Sequence, residues 1–201
     1  MKRIIGLTGG IGTGKTTVSN YLACHHQLPV LDADIYAREA VQLGSPVLSK
    51  IYDRYDADIQ LPDGTLNRKY LGEIIFSQSL ERQWLEQQIH PCVRSRFQSE
   101  LDTLVAPTLV LVVPLLFEAG MTDLVTEIWV VSCSPEQQLR RMMERDSEAF
   151  PKENRFSLEQ AQARINSQLP LQEKLARADV VLDNSSTTDS LFKQIDLALL
   201  Y

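Results

Sequence analysis

The chain is poor in cysteine and has no long hydrophobic run, and each absence excludes a class of protein. The three cysteines, Cys24, Cys92 and Cys133, are scattered and include no C-x-x-C pair, which argues against a disulfide framework or a zinc site. The apolar run at the start is too short for a signal peptide, and no stretch approaches the length of a membrane span. We therefore expect a cytoplasmic protein with reduced cysteines and no membrane partner.

The charge balance argues against nucleic acid as a partner. Lysine and arginine number 20 and aspartate and glutamate 26, so the formal net charge is −6. Such a surface repels nucleic acid and anionic membranes as a whole, while a small anion can still bind in a local basic pocket. The 201 residues, of which 44% are hydrophobic, suffice for one α/β domain with a small inserted lobe, and we expect a monomer.

Short apolar runs alternate with longer helical patterns, which predicts a parallel sheet flanked by helices. Strands are expected at residues 3–8, 28–32, 108–113, 127–133 and 179–183. The run at 108–113 is apolar on both faces and is therefore predicted to be central. The roughly 75 residues between the second and third strands exceed one crossover helix and predict a helical lobe. Within the lobe, Asp63-Gly64 predicts a turn, and Pro91 is expected to interrupt a long helical run.

A glycine-rich segment after the first predicted strand decides the class of the protein. Residues 9–16, GGIGTGKT, fit the pattern G-x-x-x-x-G-K-[S/T] between a buried strand and a helix predicted at 15–25. In this pattern backbone N–H groups and the helix N-terminus hold phosphate, Lys15 reaches the β- and γ-phosphates, and the Thr16 hydroxyl ligates Mg²⁺. A glycine-rich turn that binds nothing is disfavoured, because every fixed position is filled in the right context. The predicted ATP-binding residues are Gly12, Thr13, Gly14, Lys15, Thr16 and Thr17.

Two absences favour a kinase over other nucleotide-dependent proteins. The chain has no Asn-Lys-x-Asp segment, which argues against a guanine-specific switch. Neither central predicted strand ends in an aspartate of the Walker B type, although Asp183 ends an apolar run near the C-terminus. Small kinases manage without that aspartate if another carboxylate orients the water molecules on the metal, so a kinase is favoured over a mechanical ATPase.

An aspartate pair follows the second predicted strand and offers such a carboxylate. Residues 31–34 read Leu-Asp-Ala-Asp, and the carboxyl ends of parallel strands face the nucleotide. A carboxylate there can orient an acceptor hydroxyl or accept its proton. Alternatively, Asp34 is the N-cap of a helix predicted at 35–41, and one residue could do both.

A polar, charged stretch at residues 146–155 has the pattern of a mobile lid, since it lies between two capped helices. The first helix is expected to begin after Ser134, and the second begins with a capping box at 157–160. The helix before the stretch carries Arg140, Arg141 and Arg145. The last two share a face, which indicates either a solvated basic surface or, beside a P-loop, arginines that contact phosphate. His90, before Pro91, is either a substrate contact or a histidine at a kink.

The chain resembles the bacterial dephospho-coenzyme A kinases nearly end to end. The segments that carry the resemblance are residues 7–16, Asp32-Ala33-Asp34 with Arg38, and residues 63–66, 89–91, 113–118, 138–146 and 178–184. The P-loop is generic. The Asp-Ala-Asp segment, His90-Pro91 and the Pro-Leu-Leu-x-Glu segment at 114–118 are far more specific.

This resemblance implies a fold, a reaction and a set of roles. The implied fold is a single three-layer α/β P-loop kinase domain at 1–201, with a five-stranded parallel sheet and helices on both faces. A helical lobe at about 35–105 would accept the coenzyme A portion, and a lid at about 141–170 would close over ATP. The reaction would be Mg²⁺- and ATP-dependent phosphorylation of the ribose 3′-hydroxyl of dephospho-coenzyme A. The alternatives are another small-metabolite or nucleotide kinase on the same fold, or a nucleotide-dependent binding module.

The implied site residues follow the family's motifs. Asp34 would be the catalytic base, Lys15 and Arg141 would stabilise the transferred phosphoryl group, and the Asn184 loop would lie near the adenine. The implied substrate-binding residues are Thr8, Asp34, Arg38, His90, Pro114 and Leu115. Two departures stand out. Threonines replace the usual serines of the P-loop and keep their hydroxyls, and a long lid loop at 147–156 leaves open which of the three arginines contacts phosphate.

Overall fold

The computed structural model describes residues 2–149 and 157–200 and is built on a five-stranded sheet. The strands are β1 (Arg3–Gly9), β2 (Val30–Asp32), β3 (Thr108–Val112), β4 (Glu127–Ser132) and β5 (Val180–Asp183). Their order across the sheet is β2-β3-β1-β4-β5, and the strands run parallel. The predicted α/β fold with a five-stranded parallel sheet is confirmed, and the strands begin and end within two residues of their predicted limits.

Helices connect the strands. They are α1 (Lys15–Cys24), α2 (Ala33–Glu39), α3 (Pro46–Arg54), α4 (Arg68–Ser77), α5 (Ser79–Thr103), α6 (Pro135–Ala149), α7 (Leu158–Asn166), α8 (Leu171–Leu175) and α9 (Thr188–Leu199). Short 3-10 helices lie at Ala57–Ile59 and Thr122–Leu124. Within the described ranges, no helix combines the length and the apolar character that crossing a bilayer requires.

One compact unit, the sheet unit, comprises Met1–Leu31 and Val105–Tyr201. Residues two apart on a strand share a face, and Ile5 and Leu7 of β1 are fully buried on the face that α1 and α9 cover. Neighbouring strands and the two helices add the remaining members of this core: Val18, Leu22, Val110, Val112, Trp129, Val131, Leu182, Leu191 and Ile195. Leu109 and Leu111, on the opposite face of β3, are also fully buried. Both faces of β3 are therefore covered, as expected for a central parallel strand.

The other compact unit, the helical unit, comprises Asp32–Leu104 and has a core of its own. The buried members of that core are Val41, Val47, Leu48, Ile51, Ile59, Leu66, Leu71 and Leu85. Arg54, at the end of α3, donates two hydrogen bonds of 2.7 and 2.8 Å to Glu81 of α5, and they lower the pKa of Glu81 to about 2. The predicted turn at Asp63-Gly64 is present, since the Gly64 N–H donates to the Leu61 carbonyl at 2.9 Å.

Two expectations about helices are wrong. Helix α5 runs without interruption from Ser79 to Thr103 with Pro91 inside it, because proline removes one backbone hydrogen bond while buried residues on either side stay packed. One of them, Phe97, contacts the Tyr36 ring edge-on at 5.1 Å between centroids. Helix α6 continues to Ala149, so the loop predicted from Asp146 begins later than expected. The rest of that predicted lid loop, up to Arg155, lies outside the described residues.

Candidate active site

The P-loop follows β1 and opens α1, as the sequence predicts. Gly14 directly precedes the helix with φ 102° and ψ 24°, the left-handed conformation that favours glycine. A Cβ atom at this position would also collide with the side-chain amide nitrogen of Asn184. Among the described residues, no side chain caps the N-terminus of α1. The loop therefore presents the helix N-terminus to a ligand, and this is the arrangement that binds phosphate.

Side chains from distant parts of the sheet unit hold this loop in place. The buried Asn184, just after β5, donates from Nδ2 to the Thr13 carbonyl at 2.8 Å. The Ile11 N–H donates to Oε1 of Gln168 at 2.9 Å. Within the loop, the Thr13 hydroxyl donates to the Gly10 carbonyl at 2.9 Å. Contacts from two other segments of the chain therefore fix the course of the loop before any ligand arrives.

Gln138 of α6 also supports the loop, a role that the sequence did not predict. It is buried, and its backbone oxygen lies 2.8 Å from where a Cβ atom on Gly12 would be. Gln168 was missed as well. Neither glutamine belongs to a motif with a known chemical role, and only the contacts of the folded protein identify the two residues.

Lys15 lies over the loop it was predicted to serve. Its ammonium group donates to the carbonyls of Gly9 at 3.0 Å and Gly10 at 2.8 Å. Both acceptors are neutral, whereas phosphate oxygens are charged and form stronger hydrogen bonds with ammonium groups. An anion held by the loop would therefore compete well for Lys15.

The structure separates the three arginines of α6. Arg140 is exposed and pairs with Glu144 at 3.6 Å, and Arg145 is also exposed. Arg141 is half-buried and donates from one terminal nitrogen to the Asn184 carbonyl at 3.0 Å. Its other terminal nitrogen is buried and has no hydrogen-bond partner among the described residues. A buried donor of this kind usually has a partner, so Arg141 is the arginine of the three with a hydrogen-bond donor left for an anion.

The charge state of Cys133, beside Arg141, matters for an anionic ligand. Cys133 is buried just after β4, with its sulfur 4.0 Å from the Gly12 carbonyl. Burial raises the pKa of the Cys133 thiol, although the positive charge of Arg141 acts in the opposite direction. The thiol is therefore neutral near pH 7 and adds no negative charge beside the phosphate loop.

The structure corrects the account of the aspartate pair. Helix α2 begins at Ala33, and its N-cap is Asp32, whose side chain accepts the N–H of Asp34 at 2.7 Å. The alternative that Asp34 caps a helix at 35–41 is therefore wrong. Asp34 lies in the first turn of α2 and is exposed, two residues beyond the end of β2. Its carboxylate does not serve as the cap, so capping does not explain its presence.

The helical unit contains a pocket of about 400 Å³. Three of its lining residues can carry charge: Asp34, Arg38 and Arg68. The others are apolar or small: Ala37, Val41, Leu66, Leu71, Gly72, Ile75, Leu85 and Ile89. Arg68, at the start of α4, donates to the Arg38 carbonyl at 3.3 Å, which joins the two basic residues. The pocket thus suits a ligand with anionic groups and a long, less polar part.

The remaining predicted site residues divide into two groups. In the sheet unit, the buried Thr8 hydroxyl donates to the Pro114 carbonyl at 3.2 Å, so the end of β1 contacts the segment Pro114-Leu115 after β3. Thr16 and Thr17 are exposed in the first turn of α1. In the helical unit, His90 is half-buried on α5, and its neighbour Ile89 lines the pocket whereas His90 does not. Arg68, which does line it, was missed because it belongs to no recognisable motif.

Comparisons with known proteins agree with one another. A family model described as dephospho-CoA kinase matches residues 3–190. A curated dephospho-CoA kinase from Trichormus variabilis is 64% identical over 198 residues, which cover 98% of this chain and 97% of the relative. A solved structure from Thermus thermophilus aligns with a TM-score of 0.80 at 33% identity, over 99% of this chain and 97% of that one. A dephospho-CoA kinase from Campylobacter jejuni aligns with a TM-score of 0.71 at 27% identity, over 100% and 96%.

Proposed function

The chain belongs to the dephospho-CoA kinase family, and from this we propose that it transfers the γ-phosphoryl group of ATP to the ribose 3′-hydroxyl of dephospho-CoA. The products are CoA and ADP. The observation that carries the proposal is a complete P-loop in a chain that matches the family model over residues 3–190. The side chains of Gln168 and Asn184 hold this loop through hydrogen bonds. The enzyme is a phosphotransferase with an alcohol acceptor.

The nucleotide side of the reaction uses the P-loop. Backbone N–H groups from Gly12 to Thr17 and the N-terminus of α1 hold the phosphates. Lys15 exchanges its two carbonyl acceptors for oxygens of the β- and γ-phosphates, where it stabilises the charge of the leaving ADP. The loop after β5 at Asn184 lies beside the adenine, and the buried Arg141 nitrogen that has no hydrogen-bond partner among the described residues meets the transferred group.

The acceptor side uses Asp34. Its carboxylate orients the 3′-hydroxyl and accepts the proton as the oxygen forms its bond to the γ-phosphorus. The bond between the γ-phosphorus and the bridging oxygen breaks, and its electron pair leaves with ADP. Because Asp32 already caps α2, the Asp34 carboxylate is not needed to cap the helix.

Magnesium is the metal that this chemistry requires, and Thr16 fits it. The Thr16 hydroxyl is exposed in the first turn of α1, and magnesium accepts oxygen ligands of this kind. Over the residues that the structure describes, no group of three or more His, Cys, Asp or Glu side chains could hold a metal ion. Thr16 would share the ion with the nucleotide, and a bound Mg²⁺ would offset negative charge on the phosphates.

The pocket of the helical unit holds the rest of the acceptor. Arg38 and Arg68 would bind its phosphate groups, and the apolar wall would cover its flexible arm. Thr8, His90, Pro114 and Leu115 complete the acceptor contacts that the resemblance implies. We expect the enzyme to act as a monomer in the cytosol, where free cysteines such as Cys24 stay reduced.

An ADP-release assay over a panel of acceptors tests the proposed function. Dephospho-CoA should support turnover, whereas shikimate, gluconate and nucleoside monophosphates should not. Lys15→Ala is the matched control for contaminating kinases, and it should lose turnover by orders of magnitude while remaining folded. Preference for another acceptor would indicate a different kinase on the same fold. ATP binding without acceptor-dependent turnover would indicate a binding module instead.

A further inference from the structure

Lys174 is a buried charge that the proposed mechanism does not use. The described residues include six buried polar or charged side chains: Thr8, Thr13, Ser19, Gln138, Lys174 and Asn184. Five of them lie in β1, the P-loop or α1, or contact the P-loop directly. Lys174 differs, since it lies on the short helix α8 and has a fully buried side chain.

The ammonium group of Lys174 joins two segments of the sheet unit. It pairs with Oε1 of Glu118 at 2.8 Å and donates to the Pro114 carbonyl at 3.1 Å. The Thr8 hydroxyl donates to the same carbonyl at 3.2 Å. Lys174 and Thr8 therefore share the Pro114 carbonyl as an acceptor, and Thr8 directly precedes Gly9, the first glycine of the P-loop segment.

A second route from Lys174 leads to the P-loop itself. Oε1 of Glu118, the atom that pairs with Lys174, also accepts the N–H of Leu169 at 3.0 Å. The preceding residue, Gln168, accepts the N–H of Ile11 in the P-loop at 2.9 Å. The ion pair thus fixes Leu169, which is adjacent to Gln168, the residue whose side chain holds the P-loop.

The Lys174 side chain is 0% exposed and that of Glu118 is 25% exposed, so this arrangement is most sensitive to the loss of the carboxylate. A buried ammonium group has lost its hydration and depends on the carboxylate and carbonyl that replace water. Removing the carboxylate leaves the buried ammonium group uncompensated, so the surrounding chain shifts to solvate it, and removing the ammonium group leaves Oε1 of Glu118 without its ionic partner. The chain that would shift comprises Leu169 on one side and Pro114 on the other, and both connect to the P-loop.

We propose that Lys174 and Glu118 are positioning residues for phosphoryl transfer. By fixing Leu169 they fix Gln168, and Gln168 holds the Ile11 N–H, directly before the phosphate-binding N–H groups from Gly12 onward. A displacement of reacting groups by about 1 Å can cost about a hundredfold in rate, so a pair that never contacts substrate can still set turnover. The kinetic part of this inference rests on the proposed function, whereas the structural part does not.

Hydrogen exchange in the unliganded protein tests the structural part. In Lys174→Met the Ile11 amide should exchange about tenfold faster than in the unchanged protein, because Gln168 is no longer held. The amide of Leu111, in the core strand β3, should keep its protection. Arg3→Met is the matched control, because it breaks the half-buried ion pair of Arg3 with Glu127 in the same unit without touching this network. If Arg3→Met accelerates exchange of the Ile11 amide equally, the Lys174–Glu118 pair contributes only to general stability, and the proposal is overturned.

Kinetics in the same variants test the functional part. Lys174→Met and Gln168→Leu should each lower kcat about tenfold with ATP binding less affected, and the double variant should be no slower than the slower single variant. Losses that multiply in the double variant would show that the two residues act independently, which contradicts the proposal. If Lys174→Met does not fold, Glu118→Gln removes the pair's negative charge at constant shape and carries the same expectations. If the unchanged enzyme fails to turn over dephospho-CoA, the proposed function fails while the exchange result still decides the structural claim.

Discussion

The amino ends of the parallel strands form one side of the sheet, the amino edge, and their carboxyl ends form the other, the carboxyl edge. Both edges carry similar polar contacts, but the contacts have different roles. At the amino edge, Arg3 pairs with Glu127, and the Ile4 N–H donates to the Thr126 hydroxyl at 2.8 Å, so strand ends are joined to neighbouring strands. At the carboxyl edge, Asn184 holds a loop rather than a strand. The same kinds of contact therefore stabilise the sheet at one edge and shape a binding loop at the other.

Burial explains why the edges differ. The side chains of Arg3 and Glu127 are 26% and 21% exposed, whereas at the carboxyl edge Lys174 is 0% exposed and its partner Glu118 is 25% exposed. Water screens the charges of a partly exposed ion pair. When one partner is removed, water solvates the remaining charged group, so such a pair contributes little beyond local stability. A fully buried group has no such substitute. Mutations at the two edges should therefore affect different observables, with catalysis most sensitive at one and stability at the other.

Among the variants that compare the two edges, the largest effect should come from the aspartate that follows β2. Asp34→Asn keeps the size of the side chain and removes the proton acceptor, so kcat should fall about a hundredfold or more. The melting temperature should barely move, because Asp32 supplies the cap of α2. Steady-state kinetics and thermal unfolding of the same preparation measure both quantities.

Asp32 is the matched control for that experiment. Asp32→Ala removes the side chain that accepts the Asp34 N–H and should cost about 1 kcal/mol of stability, while Asp32→Asn should cap nearly as well. Both should retain far more of kcat than Asp34→Asn. A larger catalytic loss at Asp32 would move the base two residues back along the chain and leave the kinase assignment intact.

An intermediate effect is expected at Arg141. Arg141→Ala removes a guanidinium group with one nitrogen on the Asn184 carbonyl and another buried without a described partner. We expect kcat to fall about tenfold or more and ATP binding to weaken less, since its anionic partner gains charge in the transition state. Titration of ATP binding beside initial-rate measurements separates the two.

The neighbouring arginines provide the comparison on α6. Arg140 is exposed and pairs with Glu144, so Arg140→Ala should change kcat by less than about twofold. If Arg145→Ala instead shows the pattern expected of Arg141, the assignment of the phosphate-binding arginine is wrong. The predicted lid is tested by neither variant and stays a prediction.

The sequence predicted those parts of the fold and site that depend on local pattern. Strand β3 is recognisable because a strand buried on both faces is apolar throughout, and the P-loop is recognisable because its glycines and Lys15 have fixed spacing. Helix caps were harder. Asp32 and Asp34 are both good N-cap residues, and only the extended backbone at Asp32 distinguishes them.

The supports of the P-loop could not be predicted, because they depend on long-range contacts. Gln168 meets Ile11 across 157 positions of sequence, and Lys174 meets Pro114 across 60. A lysine or glutamine normally indicates a solvated surface. The prediction for helix α5 failed for a related reason. Pro91 normally indicates a break, but packing elsewhere along the helix keeps it continuous. The pocket residue Arg68 likewise lies outside any motif.

The smallest effect on catalysis should come from the amino edge, where Arg3→Met removes the pair with Glu127. Arg3 also donates to the carbonyls of Ala198 and Leu199 at 2.9 Å each, so the change releases the end of α9 from β1. The free energy of unfolding should fall by about 2 kcal/mol, because hydrogen bonds to a charged group are lost. Yet kcat at 25 °C should stay within about twofold of the unchanged enzyme, since the contacts that hold the P-loop lie at the other edge. Chemical denaturation and initial rates measure the two quantities. If a folded Arg3→Met enzyme loses most of its kcat, the strands transmit strain from one edge to the other. This outcome would contradict the claim that the amino edge affects stability and the carboxyl edge catalysis.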